Sequence, residues 1–396
     1  MTETLLRSGW LSESELSQLI NDRRDFHRHP ELGYNEFRTA RIVADRLNEY
    51  GYEVKTGIGG TGVVGLTGND NVANRTLLYR ADMDGLPIDE ETSADYRSQN
   101  DGIMHACGHD AHVAIGLAVA KRMIAERDNL GGYLKFAFQP AEEGGNGAVA
   151  MIEDGVLSSP DVSATVGLHV WNNLPVGQIG IHMGAMMAAV DEFDLVIEGR
   201  GGHGAMPHQT VDAIVVASMV VTALQTIVSR NVSPLDAAVV TVGKFHAGTA
   251  FNIISESASL RGTVRTFNRQ THAEIPGIIE RVIAGVCSAM GARYKLDYNR
   301  HTIPLVNDTE MCEFVADCAA EIVGRDNIIP DERTMGGEDM SYFLERVPGC
   351  FFFLGTRNDA RGFVHPHHSP RFDIDESAME IGVEIMTRVV GRYLSA

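Results

Sequence analysis

Glu192-Phe193-Asp194-Leu195-Val196-Ile197-Glu198 puts Phe193, Leu195 and Ile197 on one face of an extended segment, the period of a half-buried strand. Outward from it, Asp212 to Ser229 reads as a long apolar helix, and Ala237 to Lys244 and Ser257 to Thr266 read as strands at hairpin-like spacing. Thr271 to Met290 is a helix, and Ala292 to Tyr298 a last strand. The order βαββαβ is that of a self-contained ferredoxin-like unit. It predicts a domain over 183–298, inserted into another that covers 1–182 and 299–396.

On either side the pattern is α/β. A helix begins near Ser12, with Glu15 as a capping-box partner, and runs toward His27. A second spans Glu36 to Tyr50 and stops at Gly51. Strands at Val63 to Leu66, Thr76 to Tyr79, Tyr133 to Phe138 and Ala164 to Leu168 alternate with helices at Ala111 to Glu126 and Ala148 to Asp154. A helix from Thr309 to Gly324, a strand from Cys350 to Leu354 and a helix from Ser377 to Leu394 close the chain. Such alternation implies a central mixed sheet with helices on its faces.

The chain has 396 residues, 44% hydrophobic and 22% charged, which is globular and long enough for two domains. A formal net charge of -20 disfavours nucleic acid and anionic membrane surfaces as partners. Met1 to Leu6 has no basic region followed by an apolar core, so no signal peptide is expected, and no apolar run looks long enough to span a bilayer. Five cysteines (Cys107, Cys287, Cys312, Cys318 and Cys350) without paired spacing point to a reducing, cytoplasmic setting.

Only Cys107 sits among other metal-binding side chains, in His105-Ala106-Cys107-Gly108-His109-Asp110-Ala111-His112. Cys107 and His109, two apart, fit a loop just before the helix at Ala111; His105 and His112 flank them as supporting residues. Gln139-Pro140-Ala141-Glu142-Glu143-Gly144-Gly145 follows a strand. Adjacent side chains of an extended segment point opposite ways, so one carboxylate can ligate while the other serves as general base. His169 ends a strand, where open α/β sheets place their ligands, and the loop His365-Pro366-His367-His368-Ser369-Pro370 offers one more histidine. These donors exceed the needs of one tetrahedral ion and suit a pair about 3.5–4 Å apart, with zinc or manganese fitting the mixed set.

The same residues resemble the M20 metallopeptidase family and its amidohydrolase branch of hippurate hydrolases, N-acyl-amino-acid amidohydrolases and auxin-conjugate hydrolases. Further matches are Asp25-Phe26-His27-Arg28-His29-Pro30-Glu31-Leu32-Gly33, Arg80-Ala81-Asp82-Met83-Asp84-Gly85-Leu86-Pro87, Gly167-Leu168-His169 and His368-Ser369-Pro370. The resemblance implies two divalent ions (zinc, manganese, cobalt or nickel) on Cys107, His109, Glu143, His169 and His368, with Glu142 as base. It implies an inserted lid that often dimerises, giving a homodimer or homotetramer. The lid's His203, in Gly201-Gly202-His203-Gly204, would steady the oxyanion, and Asn252 and Arg265 would bind the substrate carboxylate. Arg80 stands where the wider family has a ligating histidine, so Asp82 is expected to orient a ligand rather than be one. The implied reaction is hydrolysis of small N-acyl or N-aroyl amino acids. A dipeptidase or carboxypeptidase on the same site is the alternative, and a catalytically silent binding homologue is a further one.

Overall fold

Ser12 starts the first helix by a reciprocal cap. Its hydroxyl accepts the Glu15 N–H at 3.3 Å, its own N–H donates to the Glu15 carboxylate at 2.8 Å, and the helix runs Glu13–Arg28. The computed structural model describes residues 10–68 and 75–395, so the reading of Met1 to Leu6 lies outside the described residues. The chain forms two compact units. One takes the described residues up to Gly184 together with Val306–Glu332 and Tyr342 onward; the other takes Ala185–Leu305 and Arg333–Ser341.

The first unit is built on an eight-stranded mixed sheet. Its order is Glu53–Ile58, Gly62–Gly68, Tyr133–Gln139, Thr76–Asp82, Ala164–Pro175, Gly349–Arg357, Ile179–Gly180 and Ile328–Ile329. The four strands from Tyr133–Gln139 to Gly349–Arg357 are parallel. Along the chain they run second, first, third, fourth across the sheet, so the chain leaves Thr76–Asp82 toward one edge and leaves its neighbour Ala164–Pro175 toward the other. That reversal opens a crevice beyond the carboxyl ends of the strands. The helix His109–Ala125 is buried along most of its length, including Val113, Ile115, Leu117 and Val119, and so lacks a polar face. The edge strand Glu53–Ile58 is mostly exposed and carries too few apolar residues to stand out in the sequence.

A buried ionic network ties the first helix to the start of His109–Ala125. Arg23 Nε donates to Asp110 Oδ2 at 2.8 Å and Arg23 to Asp373 Oδ1 at 2.6 Å. His27 Nδ1 lies 2.7 Å from Asp110 Oδ2, and its Nε2 3.4 Å from Glu90 Oε1. With a carboxylate at each nitrogen the ring holds both protons. Burial and Arg23 oppose that charge, but Asp110 and Glu90 prevail and lift the imidazole to about 9. Tyr96 and His105 are its other ring neighbours. A raised folded-state value stabilises fully below the unfolded value of about 6.5 and fades as pH climbs through about 9. Urea unfolding of the metal-free protein should therefore lose up to about 3 kcal/mol between pH 6 and 9.5. His27→Gln should remove this share of the slope and leave that of His109, which is also raised, and an equal slope in both proteins would refute the charged assignment.

The second unit has the antiparallel strand order Ala238–Ala247, Ser257–Thr266, Ala189–Glu198, Arg293–Thr302. With its two helices, Ala213–Arg230 and Arg269–Met290, this is the ferredoxin-like arrangement. Phe193, Leu195 and Ile197 are buried in one cluster with Val216, Val220 and Ile279. By length and composition, Ala213–Arg230 is long enough and apolar enough to cross a membrane, which corrects the expectation that no run is. Its inner face, with Val216, Val220, Leu224 and Ile227, belongs to the core of its own unit. Ile214, Val215 and Met219 remain exposed.

Candidate metal centre

The candidate donors of the first unit converge beyond the carboxyl ends of its parallel strands, and local backbone turns explain how. Gly108 adopts φ 89° and caps the next helix, accepting the Ala111 N–H at 3.0 Å. A Cβ at Gly108 would sit 2.3 Å from Val170 Cγ2, so only glycine fits there. The helix consequently starts at His109, which is helical rather than in the expected loop. His169 is likewise inside a strand, Ala164–Pro175, rather than at its end. Pairing with Thr76–Asp82 stops at Arg80 with Gly167, while pairing with Gly349–Arg357 continues past His169. One flank of His169 is thereby open although the strand goes on. Glu142 and Glu143 occupy a turn, not an extended segment: Ala141 has φ 50°, and Gly144 N donates to Glu142 O at 2.6 Å. His368, at φ 64°, ties its N–H to Ala106 O at 2.8 Å beside Cys107.

Within the first unit, four sets of described side chains have donor atoms within 4.8 Å of one another, and three of them are drawn from the expected residues: Cys107, His109 and His169; Cys107, Glu143 and His368; and His109, Glu142 and Glu143. Cys107 Sγ is 3.4 Å from His169 Nε2 and belongs to two of the sets. His169 Nδ1 donates to Val170 O at 2.7 Å, which leaves the Nε2 lone pair facing the thiol. His109 Nδ1 donates to Asp84 Oδ1 at 3.2 Å. His109 Nε2 and Glu143 Oε1 are buried without a hydrogen bond among the described residues. Glu143 Oε1 also lies 3.1 Å from His368 Nε2. Beyond ion-pair contacts, His109 Nε2 with Asp82 Oδ2 at 3.4 Å and Glu143 Oε1 with His368, these buried atoms are left for a ligand to satisfy. Thiolate, imidazole and carboxylate together suit a borderline divalent cation, and the sets suffice for two.

Electrostatics agree with that fit. Burial, then Glu143 and Glu142, pushes the Cys107 thiol well above its usual value, a cost a cation would reverse. Burial pushes His169 well below the usual imidazole range, so it is a neutral lone-pair donor. Burial also opposes charge on His109, but Asp82 and Asp84 raise it to about 10, so a proton and a cation compete there.

Asp82, His109 and His112 form another tight set, yet His112 has no lone pair to give. Its Nε2 accepts the Val170 N–H at 2.9 Å, so the ring proton sits on Nδ1, which donates to Asp82 Oδ1 at 2.5 Å. Asp82 is fully buried; Arg80, His109 and His112 outweigh that burial and hold it well below the carboxylate range. His367 is spent as well: Nε2 donates to Val170 O at 2.9 Å, and the ring stacks on Trp171 at 4.7 Å. Asp84 was singled out for nothing by sequence, though it stands in the quoted motif. It accepts from His109 Nδ1, from Glu142 N at 3.1 Å and from Glu143 N at 2.9 Å.

In the second unit His203 pairs with Ile253 in a short ladder, and Gly204 N donates to Asn252 O at 2.8 Å, which brings His203 and Asn252 into one loop cluster. His203 Nδ1 accepts the Ala205 N–H at 3.1 Å, so its proton is on Nε2. Arg265 lies on the strand Ser257–Thr266, half-buried, and donates to Thr263 Oγ1 and Val264 O.

A mixed-donor centre with one carboxylate more than ligation requires is the equipment of enzymes that split bonds with water, and this protein is a metal-dependent hydrolase. The chain belongs to the peptidase family M20/M25/M40, whose model matches residues 78–392. It is 40% identical over 362 residues to an N-acetyl-L-cysteine deacetylase of Bacillus subtilis, covering 91% of this chain and 85% of that one. It is 36% identical to thermostable carboxypeptidase 2 of Saccharolobus solfataricus over 92% of each chain. Among solved structures, a dinuclear metal-binding M20 peptidase of Bacillus subtilis superposes with a TM-score of 0.84 at 32% identity, covering 97% of this chain and 99% of that one.

Proposed function

We propose that the protein hydrolyses the amide bond of N-acyl or N-aroyl amino acids, releasing a carboxylic acid and a free amino acid. The observation that carries this reading is Glu142, held next to Glu143 among the thiol and imidazole donors. Cys107, His109, Glu143, His169 and His368 would hold two divalent ions, zinc, manganese, cobalt or nickel. When bound, such ions supply Lewis acidity that polarises the amide carbonyl and makes nearby water more acidic. Glu142 takes a proton from the attacking water at a carboxylate oxygen and returns it to the leaving nitrogen. Asp82 and Asp84 keep His112 and His109 in single tautomers, so the pocket does not reorganise during proton transfer. His203, with its proton on Nε2, is suited to donate to the oxyanion, and Asn252 and Arg265 to bind the substrate carboxylate.

A carboxypeptidase or dipeptidase on the same residues is the second reading, favoured by the 36% identity to a thermostable carboxypeptidase. Turnover of N-acetyl and N-benzoyl amino acids against unblocked dipeptides, with each of the four metals, separates the two. Preference for the dipeptides would sink the favoured reading.

We take the first compact unit, read from the sequence as 1–182 and 299–396, as the catalytic domain and the second, read as 183–298, as an inserted lid that also dimerises. The support is exposed Ile214, Val215 and Met219 on Ala213–Arg230, and exposed Phe245 on the edge strand Ala238–Ala247. Light scattering at the mass of one chain would refute the dimer. Five cysteines, all reduced, support a cytoplasmic setting.

A further inference from the structure

The segment Glu31 to Glu36 has no part in the donor set, yet two of its carboxylates are used in an unusual way. Glu31 precedes the helix Phe37–Tyr50 and caps it, accepting the N–H groups of Arg38 at 2.9 Å and Thr39 at 2.8 Å. Glu36, at the N-cap position itself, makes no cap. Its fully buried side chain turns away and accepts the Ala141 N–H at 2.8 Å with Oε1 and the Thr61 hydroxyl with Oε2. Asp84, also buried, accepts the next two N–H groups, those of Glu142 and Glu143. Three consecutive backbone donors are therefore gripped by two carboxylates. The first belongs to Ala141, whose φ of 50° is a conformation alanine rarely keeps unaided.

The rest of the segment closes around the same turn. Tyr34 OH donates to Gly145 O at 2.7 Å. A Cβ on Gly33 would lie 3.0 Å from Ala141 Cβ and 3.6 Å from Asp84 Oδ2. Gly85 N donates to Glu31 O at 2.7 Å, so the segment is also stitched to the end of the strand that presents Asp84.

We propose that Glu36 and Asp84 act as a paired carboxylate clamp that positions the Glu142–Glu143 turn, Glu36 fixing its strained entry and Asp84 its two functional residues. The proposal rests on the roles given above to Glu142 and Glu143, so its test reads cation binding rather than turnover. Glu36→Ala leaves the Ala141 N–H without an acceptor. Glu36→Gln can keep both contacts, because its amide oxygen faces Ala141 N and its NH2 can donate to the Thr61 hydroxyl. Asp84→Asn cannot, since one of its two edges becomes a donor facing another donor.

Manganese titrated calorimetrically into the metal-free proteins, with melting temperatures as the folding control, distinguishes these cases. Glu36→Ala and Asp84→Asn should bind at least one ion about tenfold more weakly or worse, while Glu36→Gln stays near the unmodified protein. Normal binding by Glu36→Ala, or equal weakening in Glu36→Gln, would overturn the clamp. If Glu36→Ala does not fold, the Asn and Gln variants still decide: both normal or both weak refutes it. Failure of the unmodified protein to cleave any N-acyl amino acid would remove the proposed reaction and leave this titration readable.

Discussion

Cys107→Ala should retain at most one of two cations and lose turnover by about a thousandfold or more. The sulfur is common to the set with His109 and His169 and to the set with Glu143 and His368, so one substitution strips a donor from each. No other candidate thiol is at hand, because Cys287, Cys312, Cys318 and Cys350 stand apart from all of these sets. Cys107→Ser should recover little, since a buried hydroxyl keeps its proton where a thiol can yield it to a cation. Metal content after gel filtration, measured by mass spectrometry beside turnover, checks the result. Two equivalents of metal in the alanine variant would rule out a ligand role for Cys107.

Glu142→Gln should bind metal like the unmodified protein and turn over about 10²- to 10⁴-fold more slowly, the range for losing one acid–base group. The amide keeps the shape of the side chain, and the backbone grip of Asp84 on Glu142 N does not depend on it. Glu143→Gln should behave in the opposite way, losing metal first, since Glu143 belongs to two of the donor sets and its buried Oε1 faces His368 Nε2 at 3.1 Å. The contrast between two adjacent residues is the useful measurement. Metal analysis and steady-state rates of both variants supply it, and a Glu142→Gln enzyme with near-normal rate would remove Glu142 as base.

Much of the fold was legible because its signals are local. The capping box at Ser12 and Glu15, the stop at Gly51 and the alternation of Phe193, Leu195 and Ile197 each act within a few residues. The start of His109–Ala125 was misread by two residues, because its cap is a left-handed glycine rather than the Ser, Thr, Asp or Asn that marks most helix starts. The end of the strand through His169 was misread because its two neighbours stop pairing at different places, a property of the sheet and not of the segment. The tight turn at Glu142 was hidden in the same way. Ala141 is not a turn residue by type and takes its conformation with a carboxylate 105 positions earlier in the chain holding its N–H. No pattern along a single sequence connects such partners, although the motif around Asp82 and Asp84 had both residues in view.

The donors also arrive at different times. Cys107, His109, Glu143 and His169 are all translated before the second unit begins, while His368 and the strand Gly349–Arg357 come only after it. Until Gly349–Arg357 emerges from the ribosome, Ala164–Pro175 has only Thr76–Asp82 as a neighbour, and the backbone around His169 is unpaired on that other flank. A nascent chain thus carries four of the five proposed ligands before the fifth, His368, is made. The full complement proposed above would then be captured only once Gly349–Arg357 and His368 have been made, set by the last strand to close rather than by the first cysteine to appear.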